Sequence, residues 1–343
     1  MIRAASRGHT RDMSDRTAFV TGATGFLGLH LVEQLRRRDW HVVALRRRTS
    51  DTRLLDRMGA EQVVGDVTDI DSLRRGIPVG CDAVFHAAAL TSIWKKQADE
   101  QEAVNVGGTR NVIRAALDNG VGRVLHTSTW NVFDWSGGEI TEDTPKGGDT
   151  AWIGYNRTKL AAEEAVLDAV GSQGLDAVIL NPSHIIGRYD RHNWARLISM
   201  AAMGRLPGVP PGAGDFAHGP AVAAAHVAAF EKGGRGRNYL LGGPHARFLD
   251  LVRLIARHAR QEKVPKRTVP PFLLKAMGHF EEKLAAITGW TPEVTPEAAE
   301  MVSRRVTIVS TRARDELGYA PTPLDEAVED AYVFLMREKL ITS

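Results

Sequence analysis

Residues 21–28 read TGATGFLG, and what flanks them limits what this chain can fold into. Glycines recur at every third position: Gly22, Gly25 and Gly28. The apolar run TAFV precedes them and the helical pattern LHLVEQLRRR follows. A strand-to-helix turn of this kind needs glycine for φ > 0 and for close approach to the backbone, and it sits at the positive end of a helix. Further strands are predicted at HVVALR, EQVVGDV, CDAVFHAAA, GRVLHTST, DAVILNPS and RNYLLGG. Helices are predicted at DIDSLRRGI, EAVNVGGTRNVIRAALDNG and NRTKLAAEEAVLDAV.

The strands are continuously apolar rather than alternating, so both sheet faces are buried, and helices separate them. That pattern predicts an α/β fold with a Rossmann-type doubly wound parallel sheet. After Gly187 the texture changes. GRLPGVPPGAGDFAHGP reads as a long loop, and residues 246–343 are mostly helical in pattern. The expected division is a disordered leader over 1–13, with Met13 a candidate start, and a dinucleotide-binding domain over 14–183. Residues 221–244 return to that domain, and 184–220 with 245–343 form a smaller, mostly helical C-terminal substrate region over the strand ends.

Composition excludes several classes. Lys plus Arg number 44 and Asp plus Glu 41, leaving a balance of +3 over 343 residues, which carries no nucleic-acid footprint. The single Cys81 rules out an internal disulfide and fits a reducing, cytoplasmic compartment. No stretch approaches the roughly 20 apolar residues of a membrane span. The first residues, MIRAASRGHTRDM, lack the apolar segment of a secretory signal. His184, His192, His218, His226 and His279 show no metal-ligand spacing, so no metal is expected.

The GxxGxxG spacing resembles the extended branch of the short-chain dehydrogenase/reductase superfamily. Other segments carry the same likeness in the same order: GDVTD, VFHAAA, NVGGTRNV, HTSTWNVF, GYNRTKLAAEE with its YxxxK pattern, and ELGYAPTPLDEAVEDAYVFL. Within the branch, GCDAVFHAAALTSIW and NPSHIIG are most similar to the group of dihydroflavonol reductases and 3β-hydroxysteroid dehydrogenases, part of the NAD-dependent epimerase/dehydratases. The resemblance implies a nicotinamide cofactor held by Gly22, Thr24, Gly25, Phe26, Leu27 and Gly28. It assigns adenine contact to Asp66 and Val67, close passage of the cofactor to Ala87, Ala88 and Ala89, and the nicotinamide face to Pro182 and Ser183. Asn105 is implied to tie the end of the fifth strand or a water near the site. A homodimer is also implied. One departure stands out: where the family carries Asp in a VDxxDVA stretch, this chain reads HGPAVAAAHVAAF, with Ala221 and Ala223.

The residues themselves point to proton and hydride chemistry. Tyr155 and Lys159 lie four apart and share a helix face. A free phenol has a pKa near ~10, so the ammonium is expected to favour its ionised form. Tyr155 is then a candidate acid/base, with Lys159 beside it also holding ribose hydroxyls. TWNVF points to Thr129, rather than Ser128, as the hydroxyl that donates to the substrate oxygen. About 20 residues past a glycine turn, NAD sites carry an acid. Here ALRRRTS supplies Arg46, Arg47 and Arg48, which favours NADP(H), led by Arg46, over NAD(H).

Three functions follow as expectations. The first is an NAD(P)-dependent oxidoreductase interconverting a secondary alcohol and a ketone on an apolar, sterol-like or polycyclic substrate, which the small residues of 221–229 also favour. The second is a nucleotide-sugar epimerase or dehydratase with retained NAD, whose diphosphate would use Arg188, Arg191 and Arg196. The third is a non-catalytic nucleotide sensor. The segment PPFLLKAMGHFEEKLAAITGW is partly amphipathic and reads as a pocket lid, with peripheral membrane contact as its alternative.

Overall fold

A computed structural model describes residues 16–148, 151–288, 292 and 294–341; the expected leader lies outside them. The first half alternates as the sequence predicts: β1 (Thr17–Thr21), α1 (Phe26–Arg36), β2 (His41–Arg46), α2 (Arg53–Met58), β3 (Glu61–Val64), α3 (Ile70–Gly76) and β4 (Ala83–His86). There follow α4 (Ala98–Glu102), α5 (Gly108–Asp118), β5 (Arg123–Thr127), β6 (Glu139–Ile140), α6 (Gly154–Ser172) and β7 (Ala177–Pro182). The second half holds β8 (His184–Ile186), α7 (Trp194–Ala202), β9 (Ala213–His218), α8 (Gly219–Lys232), β10 (Asn238–Leu241) and β11 (His245–Arg247). It closes with α9 (Phe248–His258), α10 (Pro271–Thr288), α11 (Pro296–Met301), β12 (Thr307–Ile308), α12 (Thr311–Leu317) and α13 (Leu324–Arg337).

Seven strands form one parallel sheet in the order β10-β7-β5-β4-β1-β2-β3. The chain leaves β1 in one direction through β2 and β3, then returns to β4 on its other side. The crevice between β1 and β4 is therefore the switch point where such sheets take ligands. Side chains alternate across the sheet: Ala18 and Val20 join Leu31, Leu35 and Ala225 on one face, and Phe19 joins Leu73, Val112 and Val166 on the other. A separate apolar cluster, with Ile198, Phe216, Phe248, Leu251 and Leu335, underlies the second half.

One reading needs correction. The Gly/Pro-rich loop contains a strand: β9 pairs with β8 in parallel and with β11 antiparallel. Its glycine and proline content hid an ordinary buried strand, AGDFAH. The small residues of 221–229 lie in α8, where Ala223, Ala225 and Ala229 are buried, and α8 packs on α1. Their smallness permits helix-to-helix contact: a Cβ on Gly219 would reach within 2.6 Å of the His30 ring.

Candidate active site

The glycine turn is built as its spacing requires. Gly22 has φ +67, and a Cβ there would lie 2.7 Å from the Ala88 nitrogen, so β1 and β4 meet through it. A Cβ on Gly28 would overlap the carbonyl of Gly22, so α1 can start only by lying against the turn. The turn then presents a helix start at Phe26 with no side-chain cap and no acid in the first turn. Its leading N–H groups suit an anion, and the cradle fits a dinucleotide pyrophosphate. Thr24, Gly25, Phe26 and Leu27 all keep some exposure there. So do Ala87, Ala88 and Ala89, which follow β4 on the other side of the crevice.

At the end of β2, Arg46 is half-buried and its Nε has no hydrogen-bond partner. The nearest acid in sequence, Asp51, is taken by Arg53 at 2.7 Å. Asp66 accepts from the Thr68 nitrogen at 2.9 Å, which turns the chain at Val67. Asn111, which the sequence reading missed, holds the Val67 carbonyl at 2.9 Å.

Asn105 holds two segments together: its Oδ1 accepts from the Leu90 nitrogen at 2.8 Å, and its Nδ2 donates to the Thr158 hydroxyl at 3.1 Å. It thereby ties the chain after β4 to α6, one turn from Tyr155. A π-helical turn over Ala103–Gly107 places it there, an irregularity no periodicity rule would show.

Tyr155 meets Thr129, and Lys159 lies one helical turn further along α6. The Tyr155 hydroxyl is enclosed and hydrogen-bonded to the Thr129 hydroxyl, whose Oγ1 also accepts from the Asn131 nitrogen at 3.3 Å. Burial pushes the phenol up to about 12, although the Thr129 contact lowers it. This reverses the direction expected from sequence. Lys159 is buried and donates from Nζ to the Thr127 carbonyl at 2.7 Å, and burial brings it down to about 8 while Glu163 opposes the shift. Ser128 and Ser183 both bury hydroxyls without partners, and Pro182 ends β7 beside Ser183.

Beneath this group lies a second set of side chains. Glu163, one helical turn beyond Lys159, is fully buried and paired with Lys146. Its Oε2 accepts from Asn181 Nδ2 at 3.0 Å, and the same amide donates to the Thr129 carbonyl at 3.1 Å. The i+4 spacing from Lys159 was a legible signal for Glu163; Asn181 gave none. Glu163→Ala leaves the Lys146 charge without its buried partner, and we expect a loss of about 3 kcal/mol of stability. Glu163→Gln should recover part of it, because an amide oxygen can still accept from Asn181. Equal urea midpoints for the wild type and the alanine variant would contradict the arrangement.

One wall is aromatic. The His184 ring, one residue past Ser183, lies 5.5 Å from Trp130, 5.0 Å from Trp194, 5.6 Å from Phe216 and 6.1 Å from Phe248. Trp130 itself follows Thr129 and stacks on Trp135 at 5.1 Å. Burial lowers the His184 pKa to about 4, so the imidazole is neutral near pH 7. Arg188 and Arg191 are engaged elsewhere: Arg188 pairs with Glu33 and Asp330, and Arg191 with Glu338 and Asp51.

A parallel sheet with a glycine turn at its switch point, and a Tyr-Lys helix beside it, defines a nicotinamide-dependent dehydrogenase/reductase. The chain belongs to the NAD dependent epimerase/dehydratase family, whose model matches residues 18–242. It is 33% identical to sterol demethylase protein B of Methylococcus capsulatus, over 95% of this chain and 100% of that one. It is 32% identical to a 4-hydroxy-2-methyl-3-oxo-4-farnesyl-3,4-dihydroquinoline-1-oxide ketoreductase of Stigmatella aurantiaca, over 88% of this chain and 91% of that one. Among solved structures, gox2253 superimposes with a TM-score of 0.83 at 31% identity, covering 96% of this chain and 100% of that one. The protein is thus an enzyme of this family that acts on a small molecule.

Proposed function

We propose that the enzyme interconverts a ketone and a secondary alcohol on an apolar, polycyclic substrate, with NADP(H) as exchangeable co-substrate. The enclosed Thr129–Tyr155 hydroxyl pair beside an aromatic wall carries this reading. When bound, the nicotinamide supplies or accepts the hydride. In reduction the carbonyl carbon gains a hydride and its oxygen gains the Tyr155 proton, giving the alcohol; oxidation runs the same bonds in reverse. A phenol held near 12 is protonated at neutral pH and suits the donor role. Thr129 donates to the same oxygen as charge gathers on it. Lys159, brought down to about 8, stands near enough to neutrality to return a proton to the tyrosine, and it would hold the ribose.

In this reading residues 14–183 and 221–244 hold the dinucleotide, and 184–220 with 245–343 enclose the substrate. The pyrophosphate lies on Gly22, Thr24, Gly25, Phe26, Leu27 and Gly28. Asp66 and Val67 meet the adenine, Ala87, Ala88 and Ala89 floor the cleft, Asn105 fixes its edge, and Pro182 and Ser183 face the nicotinamide. The names of the relatives above, one a sterol enzyme and one a farnesylated-ketone reductase, support an apolar substrate. The family resemblance supports a homodimer, which light scattering checks. The epimerase reading is weakened because Arg188 and Arg191, two of its three diphosphate ligands, are paired with carboxylates. Cofactor consumption with a panel of apolar ketones, set against nucleotide sugars, tests the function; consumption of the cofactor with none of the ketones would contradict it.

The unpartnered Arg46 Nε supports NADP(H). Arg46→Ala should weaken NADPH binding about 30-fold, the range of a charge-assisted contact, and NADH binding less than threefold. Fluorescence titration with both cofactors reads the difference. Equal losses would mean the guanidinium meets no phosphate.

A further inference from the structure

α10 is inside out. Its buried line is Leu274, Gly278 and Ala285, while Phe272 is 75% exposed, Phe280 69% and Ile287 86%. Leu273, Met277 and Leu284 extend the same outward stripe at spacings of three and four. The helix cannot simply roll to hide them. A Cβ on Gly278 would already lie 2.8 Å from the Thr295 backbone, so no larger side chain fits on that side. A lid closed over a pocket would need these side chains turned inward, and the structure turns them out.

The charges on the helix are sorted as well. Glu281 accepts from the Val294 nitrogen at 2.8 Å, and Glu282 pairs with Lys95 at 3.1 Å, so both acids are held against the protein. From Lys263 to Thr288, every exposed ionisable side chain among the described residues is a base: Lys263, Lys266, Arg267, Lys275, His279 and Lys283; Lys275 pairs with Glu300 at 2.7 Å, and the exposed acid Glu262 immediately precedes the segment. An exposed apolar stripe this long marks an interaction site. A second copy on a two-fold axis would bring each set of bases against its equivalent, so like charges would oppose that contact. An anionic surface has the complementary charge. Among the described residues no helix is long and apolar enough to cross a membrane, so α10 would lie in the interface.

We propose that α10 docks this enzyme on anionic phospholipid bilayers, its apolar stripe in the acyl boundary and its bases among the headgroups. The inner face of α10 is joined to the active-site region: the Lys95–Glu282 pair links α10 to the segment before α4, and Gln101 of α4 lies against Gly154, the residue before Tyr155. Delivery of a membrane-dissolved substrate past α10 rests on the function proposed above; the docking surface does not.

Flotation with phosphatidylcholine vesicles, with and without phosphatidylglycerol, tests it using the full chain. The wild type should float with the anionic vesicles at low salt and be released at high salt. Phe272→Ser, Phe280→Ser and Ile287→Ser combined should weaken partitioning about a hundredfold. Lys266→Glu with Lys283→Glu should weaken it about tenfold. Melting temperature and NADPH affinity should match the wild type in both variants, since these side chains face solvent. No flotation at low salt overturns the proposal, as does undiminished flotation of the triple serine variant. Equal binding to both vesicle types removes the anionic assignment. A change in elution volume of the serine variant, without vesicle binding by the wild type, would give the stripe to a second copy.

Discussion

Tyr155→Phe should lose turnover by about a thousandfold, equivalent to about 4 kcal/mol of barrier, while the cofactor dissociation constant moves less than threefold. The substitution removes one hydroxyl. The ring that packs beside Trp130 and Ile153 stays, and so do the glycine turn and Lys159. What is lost is the proton that reaches the substrate oxygen and the partner of the Thr129 hydroxyl. Thr129→Val should cost less, because Tyr155 keeps its proton. If the phenylalanine enzyme turned over at a comparable rate, the proton would come from elsewhere and the assigned mechanism would fail. A weakened cofactor affinity equal to the loss in rate would instead make Tyr155 a binding residue.

Acid should unfold the protein near pH 5. Five buried histidines carry lowered pKa values, and burial is the main cause in each. His30 and His86 are near 3, His184 and His226 near 4, and His126 is well below its ordinary value. A histidine in the unfolded chain takes its proton near 6.5. Between that pH and the folded value the unfolded state binds more protons, so stability is complete above about 6.5 and drains away as pH falls. Each of the four histidines held near 3 or 4 costs about 2 kcal/mol by pH 5, and His126 adds to the loss in the same direction, so together they approach the whole stability of a typical domain. His86 shows why the folded site resists protonation. Its Nδ1 meets the Thr21 hydroxyl at 2.7 Å and its Nε2 meets Thr109 at 3.0 Å, contacts that a neutral ring satisfies. His126 lies beside it with both ring nitrogens lacking partners. His126→Leu should therefore move the acid midpoint to lower pH. Circular dichroism across the range reads both effects, and a melting temperature unchanged from pH 7 to pH 5 would contradict them.

The sheet was legible because its inner strands are buried on both faces and so read as apolar runs, while β3, at the edge, stays partly exposed. The glycine turn was legible because Gly22 and Gly28 answer steric demands that only glycine meets. Contacts between distant segments were not. The aromatic wall draws Trp130, His184, Trp194, Phe216 and Phe248 from five separate places, and nothing local announces it. Asn181 looks like a strand residue until Glu163 and Thr129 are beside it. The missing acid near Ala221 was visible, but not what stands nearby: His218 contacts Asp330 of α13 at 3.0 Å, and Arg188 completes the pairing. The direction of the Tyr155 shift also needed the structure, since spacing places Lys159 on the right helix face but says nothing of its bond to Thr127.

In the proposed reaction the cofactor comes and goes with each turnover. Denaturing the freshly purified protein and identifying any released nucleotide by mass spectrometry tests it most directly. Little or no retained nucleotide is expected, with reversible uptake of NADPH by the native protein. Stoichiometric NAD released only on denaturation would contradict it, because a retained cofactor must regain its hydride within one cycle, as an epimerase or dehydratase requires.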